Sequence, residues 1–326
     1  MSPEHRRVYS IRPEALKAFQ ILALASWSLV GWGVAARQPR PPDPLIDGGA
    51  IAKVTDHVYV ISDRNVGLVP NVGIIVGTKA TLVVDTGLGP RNGRTVVDAT
   101  SGVSTNAELY VVSTHFHPEH ALGEPAFPAS AKIIRAQAQQ KDIDEFGLSL
   151  AQTFASRSPL TAELLKDVQF RKADMLFERE FTLDLGGARV RMLSLGPTHT
   201  RGDTIIWVEG DRVLFAGDVV MNQTFVAFAS PYSSVKAWLS AFDQLEPLRP
   251  LRIVPSHGPM GDASLIERQR MVLKGIQARA GELKREGKSA DETAQIVQSE
   301  YQTKYPGWSA PARIIAIARS AYMESP

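Results

Sequence analysis

The stretch Thr114-His115-Phe116-His117-Pro118-Glu119-His120 places three of the chain's seven histidines and one carboxylate within six residues. Imidazole and carboxylate are donors that zinc accepts, with iron and manganese as rivals for the same set. In extended backbone, residues two apart point the same way, so His115 and His117 can grip one ion. Glu119 and His120 fall in the turn after them, within reach of a second. A cation held there acts as a Lewis acid and lowers the pKa of its water to about 7, which makes a nucleophile without any activated side chain.

The elements that must position these residues are short apolar runs. Leu109 to Val112 leads into the histidine stretch, Arg189 to Leu193 leads towards His199, Val213 to Ala216 delivers Asp218, and Leu251 to Val254 delivers His257. Four times a potential ligand comes after a strand-like run, and the loops after strands are where layered α/β folds carry their sites. Upstream, Val58 to Ile61, Val72 to Val76 and Thr81 to Val84 read as strands with an antiparallel start. Arg91 to Ala99, Ala136 to Phe146, Leu160 to Asp167 (with Thr161 as cap) and Ser234 to Leu245 read as helices, and Phe181 to Leu185 with Arg189 to Leu193 as a hairpin turning at Gly186-Gly187.

The histidine stretch resembles the His-x-His-x-Asp-His signature of the metallo-β-lactamase superfamily, with Glu119 where Asp is usual. The resemblance runs over about Ile51 to Asp262 and takes in Asp85-Thr86-Gly87, His199, Asp218 and His257. It implies an α/β fold, the αββα four-layer sandwich, here with a C-terminal helical extension. It implies that His115, His117 and His199 bind a first ion, that Glu119, His120 and His257 bind a second, and that Asp218 bridges the two. It also implies two zinc ions, with iron or manganese as alternatives, and a hydroxide held between them. Asp85 would then orient a histidine ligand, a role that fixes tautomer and ring direction; by itself it would read as a strand-ending turn. Glutamate is one methylene longer than aspartate. Glu119 therefore either folds back to ligate and steer the nucleophile, or leaves a weakened second site, or merely caps the turn. Arg201 and Asn222 are candidates for touching substrate, against the plainer readings of a surface salt bridge and a loop hydrogen bond.

The implied activity is metal-dependent hydrolysis of an ester, thioester, lactone or amide. A bridging aspartate with no cysteine is more similar to the glyoxalase II and lactonase branches than to dedicated β-lactamases. Three other readings stand beside it: β-lactam hydrolysis, a diiron or sulfur-dioxygenase-type oxidoreductase, and a metal- or ligand-binding module without turnover.

Composition narrows the field further. The 326 residues are 44% hydrophobic and 21% charged, with a net charge of +2 and no cysteine. Scattered Lys and Arg give no nucleic-acid footprint, so the expected partner is a small-molecule substrate. Without cysteine there is no disulfide, thiolate ligand or thiol nucleophile. Arg6, Arg7, Arg12 and Lys17 precede the uncharged run Ala18 to Ala36, which ends Val34-Ala35-Ala36. This reads as an export signal over 1–36 and a periplasmic or secreted protein, with an uncleaved membrane anchor as the alternative. Residues 37–50 read as a Pro-rich linker, 51–262 as the catalytic domain, and 263–326 as a helical extension, a packing appendage rather than a substrate lid. Oligomeric state has no sequence signal.

Overall fold

The structure is a computed structural model that describes residues 42–326. The expected export segment and residues 37–41 of the expected linker lie outside the described residues.

Among the described residues twelve strands form two sheets. The first seven strands are β1 (Ile51–Lys53), β2 (Val58–Ile61), β3 (Val72–Val76), β4 (Ala80–Val84), β5 (Glu108–Val112), β6 (Lys132–Ala136) and β7 (Met175–Phe177), and they lie in chain order across one sheet. Strands β1 to β4 are antiparallel neighbours; β4 to β7 run parallel. The second sheet holds β8 (Glu180–Asp184), β9 (Arg189–Ser194), β10 (Thr204–Val208), β11 (Val213–Gly217) and β12 (Arg252–Pro255), in the order β12-β11-β10-β9-β8. The β8–β9 hairpin turns at Gly186 and Gly187, both at positive φ (85° and 87°), where a side chain would be strained.

Nine helices complete the described residues: α1 (Gly89–Val103), α2 (Pro118–Ala121), α3 (Gln137–Asp142), α4 (Leu148–Ala155), α5 (Pro159–Leu164), α6 (Val235–Leu245), α7 (Ser264–Arg285), α8 (Ala290–Lys304) and α9 (Ile314–Glu324). The period-2 rule explains the layering. Along β3 and β4, Ile74 and Val83 face outward onto α1 with Val96, whereas Ile75, Leu82 and Val84 face inward. There they meet Val190, Met192, Ile206, Val208, Phe215 and Val254 of the second sheet. The outer face of that sheet, Ile205, Trp207, Leu214 and Ile253, packs on Trp238 and Phe242 of α6 and on α7, α8 and α9. Strands buried on both faces must be continuous apolar runs, and β4, β10 and β11 are buried throughout. The result is the expected helix–sheet–sheet–helix sandwich with C-terminal helices. No helix among the described residues is long and apolar enough to cross a membrane.

Three local expectations change. Residues 44–50 are not an extended linker: Asn92 of α1 accepts from Ile46 N (2.8 Å) and donates to Pro44 O (3.0 Å), docking the segment on the helix. Helix α5 is capped by Ser158, with Thr161 as its reciprocal partner at the third position rather than as the cap. The single helix expected to Phe146 becomes α3, a π-turn over Ile143–Gly147, and then α4. The extra residue of a π-turn rotates the helix downstream of it, and such turns collect at functional sites. Here the rotation precedes α4, whose Leu150 and Phe154 line a cleft together with His117.

Candidate metal centre

His115 and His117 lie in a bend after β5, His117 with extended dihedrals (φ -60°, ψ 147°). Their rings nevertheless converge, with centroids 4.6 Å apart. His117 precedes α2, Pro118 starts it, and Glu119 and His120 lie within it. His199 sits in the β9–β10 loop, Asp218 comes directly after β11, and His257 lies just beyond β12. Seven side chains from four connections thus meet at one end of the sandwich. The candidate ligand atoms fall into three overlapping groups, each within 4.8 Å: His115, His117 and His199; Glu119, His120 and His257; and His115, His120 and Asp218. Asp218 also lies 3.4 Å from His199 Nε2, so its carboxylate stands between the other two groups. Glu119 is folded back far enough to join the second.

Hydrogen bonds on the far side of the rings fix which nitrogen faces inward. His120 Nδ1 donates to Asp85 Oδ2 (2.9 Å), His199 Nδ1 to Ala227 O (2.7 Å), and His257 Nδ1 to Val69 O (2.9 Å). With the Nδ1 proton so placed, Nε2 is the nitrogen left for the cluster. Asp85 does more than orient one ring. It sits at positive φ (64°) at the end of β4 and accepts from Thr114 N (2.7 Å) and Thr114 Oγ1, which ties two strand ends together.

Whether these residues suit metal ions can be judged from the polar atoms they leave over. His115 Nε2, His120 Nε2, Glu119 Oε2 and Asp218 Oδ1 are buried with no hydrogen-bond partner. Buried polar atoms are normally paired, and four orphans at one point would be costly. His117 Nδ1 and His199 Nε2 lie 3.2 Å apart. A buried cluster of imidazole and carboxylate atoms left without partners is a donor set that fits divalent metal ions.

The electrostatics agree. Burial, then the neighbouring histidines, hold the pKa values of His115 and His117 well below the usual imidazole value, so both rings are neutral donors. Burial also opposes charge on His120, but Asp85, then Glu119 and Asp218, outweigh it and push the ring up to about 9, so the carboxylates make this corner of the cluster favour a positive charge. Burial would raise Asp218; the histidine charges and Arg313 instead pull it below the usual carboxylate range, and it stays ionised.

The cluster lies at the base of a cleft of about 600 Å³ lined by His117, Glu119, His199, Asp218 and His257. Arg201 and Asn222 are not among the residues lining it. Arg201 pairs with Asp142 (2.9 Å) and Glu145 (2.5 Å), and Asn222 Nδ2 donates to Pro259 O (3.0 Å). His57 is bound to Asp211 (2.9 Å), away from the cluster.

Sequence reasoning missed several supports. Asp203 is buried and gathers Thr198 Oγ1, Thr200 Oγ1 and Thr200 N, closing the loop that carries His199. The Thr-His-Thr-x-x-Asp spacing was its one available signal. Asp63 and Asn71 stitch the 63–71 loop to the His257 turn: Asp63 Oδ2 accepts from Gly258 N (2.7 Å), and Asn71 Nδ2 donates to Pro255 O (2.9 Å). Glu124 and Arg135 form a fully buried ion pair (2.8 Å) behind α2, with Ser113 Oγ donating to Glu124.

Known proteins place this geometry. The chain is 26% identical over 222 residues to a nematode (Caenorhabditis elegans) beta-lactamase-like protein 2 homolog, a match spanning 65% of each. It is 25% identical over 206 residues to the human acyl-coenzyme A thioesterase MBLAC2, covering 58% of this chain and 72% of that one. The stereoselective inverting sec-alkylsulfatase Pisa1 from Pseudomonas sp. shares the fold, with a TM-score of 0.63 at 16% identity, over 84% of this chain and 50% of its own. Residues 66–257, which carry every member of the cluster, match the family model of the metallo-beta-lactamase superfamily, and the chain belongs to that superfamily.

Proposed function

We propose that the protein is a dinuclear metal-dependent hydrolase, zinc being the expected metal, acting on the carbonyl of an ester, thioester, lactone or amide. The observation that carries this reading is the set of four orphaned buried polar atoms shared among the ligand groups. The human relative's thioesterase activity supports a thioester as the first substrate to try. Bound ions would supply Lewis acidity and a water of lowered pKa.

The chain's own residues do the remaining work. Neutral His115 and His117, together with His199, would hold one ion, and Glu119 and Asp218 would offset part of the charge of the pair. Asp85, Ala227 O and Val69 O keep the rings in the ligating tautomer. Glu119 lines the cleft and has one carboxylate oxygen without a partner, so it is placed to hold or pass a proton during turnover. The segment over 1–36 is proposed to export the protein.

The test is metal content per chain by elemental mass spectrometry, then a panel of thioesters, lactones, esters and β-lactams assayed before and after chelation. Two ions per chain and turnover that is lost on chelation and restored by zinc are expected. Stoichiometric metal without turnover of any member would sink the hydrolase reading and leave the binding module. Iron would redirect it to oxidative chemistry.

A further inference from the structure

The C-terminal helices do not merely cover the second sheet. The segment before α9 runs back to the loop after Asp218: Ser309 N donates to Gln223 O (2.9 Å), Phe225 N to Ser309 O (3.2 Å), and the Thr224 and Ser309 hydroxyls lie 2.7 Å apart. Ala310 then adopts a left-handed conformation (φ 58°), unusual for a residue with a Cβ, and leads into a 3-10 turn over Pro311–Arg313. The outcome is that Ser309, Ala310 and Arg313 line the same cleft as the metal cluster. Arg313 donates to Phe225 O (3.0 Å) through Nη1 and forms no salt bridge among the described residues, its charge acting on Asp218 from a distance.

A second arginine enters the cleft from the turn after α4. The Arg157 guanidinium lies 3.6 Å above the Phe154 ring. It forms no ion pair or side-chain hydrogen bond among the described residues, unlike Arg191 and Arg279, which pair with glutamates, and the carboxylate that acts on its charge is Glu119 in the same cleft. Stacking on an aromatic face leaves the N–H edge of a guanidinium free to bind. The same cleft is lined by the apolar side chains of Val66, Leu68, Leu150 and Phe154. Of the carboxylates in the cleft, Asp63 accepts from Gly258 N, and Glu119 and Asp218 belong to the candidate ligand groups and form no salt bridge with either arginine.

We propose that Arg157 and Arg313 are specificity-determining residues that select substrates bearing an oxyanion (carboxylate, sulfonate, sulfate or phosphate) beside an apolar chain that lies along Leu68, Leu150 and Phe154. Guanidinium groups bind such oxyanions through paired charge-assisted hydrogen bonds. The tail is then part of the substrate site. This rests on the hydrolase reading of the same cleft, and the test is chosen to separate the two.

Zinc-loaded full-length protein is titrated calorimetrically with hexanesulfonate and with hexyl methyl sulfone, its uncharged counterpart. Wild type, Arg157→Gln, Arg313→Gln and the double variant are compared. Hexanesulfonate is expected to bind at least tenfold tighter than the sulfone, each single variant to lose fivefold or more of that preference, and the double variant to lose it. Arg313→Lys is expected to retain most of it, which separates charge from packing of the 309–313 turn. Heptanoate and hexyl phosphate are expected to depend on both arginines in the same way. Preference that persists in the double variant would overturn the inference, because the metals alone would then select the anion; so would equal binding of sulfonate and sulfone by wild type. Failure of every ester to turn over, with the arginine dependence intact, removes only the hydrolase reading.

Discussion

Replacing Asp85 by Asn changes one atom and tests how the second ion group is held. Oδ1 accepts from Thr114 N (2.7 Å), Oδ2 from His120 Nδ1 (2.9 Å), and the Thr114 hydroxyl lies within reach of both oxygens (3.1 and 3.0 Å). Asparagine has one acceptor and one donor end, and neither orientation satisfies both sides. With its oxygen towards Thr114, the amide N–H faces His120 Nδ1. The ring must then accept there and carry its proton on Nε2, the atom that belongs to the ligand groups. With its oxygen towards His120, the amide N–H meets the Thr114 N–H in a fully buried position, and two donors oppose each other. A buried donor without an acceptor costs about 1–3 kcal/mol. By either route the second ion loses roughly 10–100-fold in affinity, the range typical of outer partners of metal-bound histidine. The His115, His117 and His199 group does not contain His120 and keeps its ion.

The assay is competition with a chromophoric chelator, which resolves the two ions by affinity. Asp85→Asn is expected to show one ion near wild-type affinity and one that is released roughly 10–100-fold more readily, in a protein that remains folded by circular dichroism. Two ions at wild-type affinity would refute the tautomer argument. Loss of both together would show instead that Asp85 acts mainly by fastening β4 to the Thr114 strand end.

The supports around the cluster lead to further expected outcomes. Chelation leaves four buried polar atoms without partners; if each ion is present at about 100 times its Kd, its removal costs about 2.7 kcal/mol, and differential scanning fluorimetry is expected to show a Tm lower by on the order of 10 °C. Glu124→Ala strands the Arg135 charge, which is 1% exposed; it is expected to cost about 3–5 kcal/mol in urea unfolding, and a change under about 1 kcal/mol would contradict it. A Cβ on Gly123 would lie 2.0 Å from Thr86 O, a backbone atom next to Asp85. Gly123→Ala is therefore expected to cost about 1–3 kcal/mol or more and to weaken the second ion along with stability. Asp203→Ala frees the Thr198 and Thr200 donors and should lower metal affinity through the His199 loop, read by the same chelator competition.

The sequence was most legible where a single physical rule determines the answer. Runs such as Thr204 to Val208 and Val213 to Ala216 have no polar alternative, so they can only be strands buried on both faces, and their ends locate Asp218 and the neighbouring ligand loops. Glu119 was ambiguous because a methylene can be taken up by rotamer choice, and only coordinates show its carboxylate in reach of His120 and His257. The π-turn at Ile143–Gly147 left no mark, because one inserted residue shifts the helical phase without changing residue types.

The cleft wall shows why substrate is the least legible layer. Arg157 is separated from His115 by the whole of β6, α3 and α4, and Arg313 comes after helices and turns that the apolar pattern assigns to packing. Neither stands in a motif, since each needs only a cation at the right point on a surface that many backbones could provide. Arg201, by contrast, stands two residues from a ligand and looked well placed, but Asp142 and Glu145 were free to claim it. Proximity in sequence therefore predicts ligands, which a strand end must hold rigidly against a cation, far better than it predicts substrate contacts. For an arginine, the informative quantity is what else can neutralise it, and that is decided by elements remote in the chain. Arg157 and Arg313 differ from Arg201 in that no salt bridge among the described residues holds them and both line the cleft.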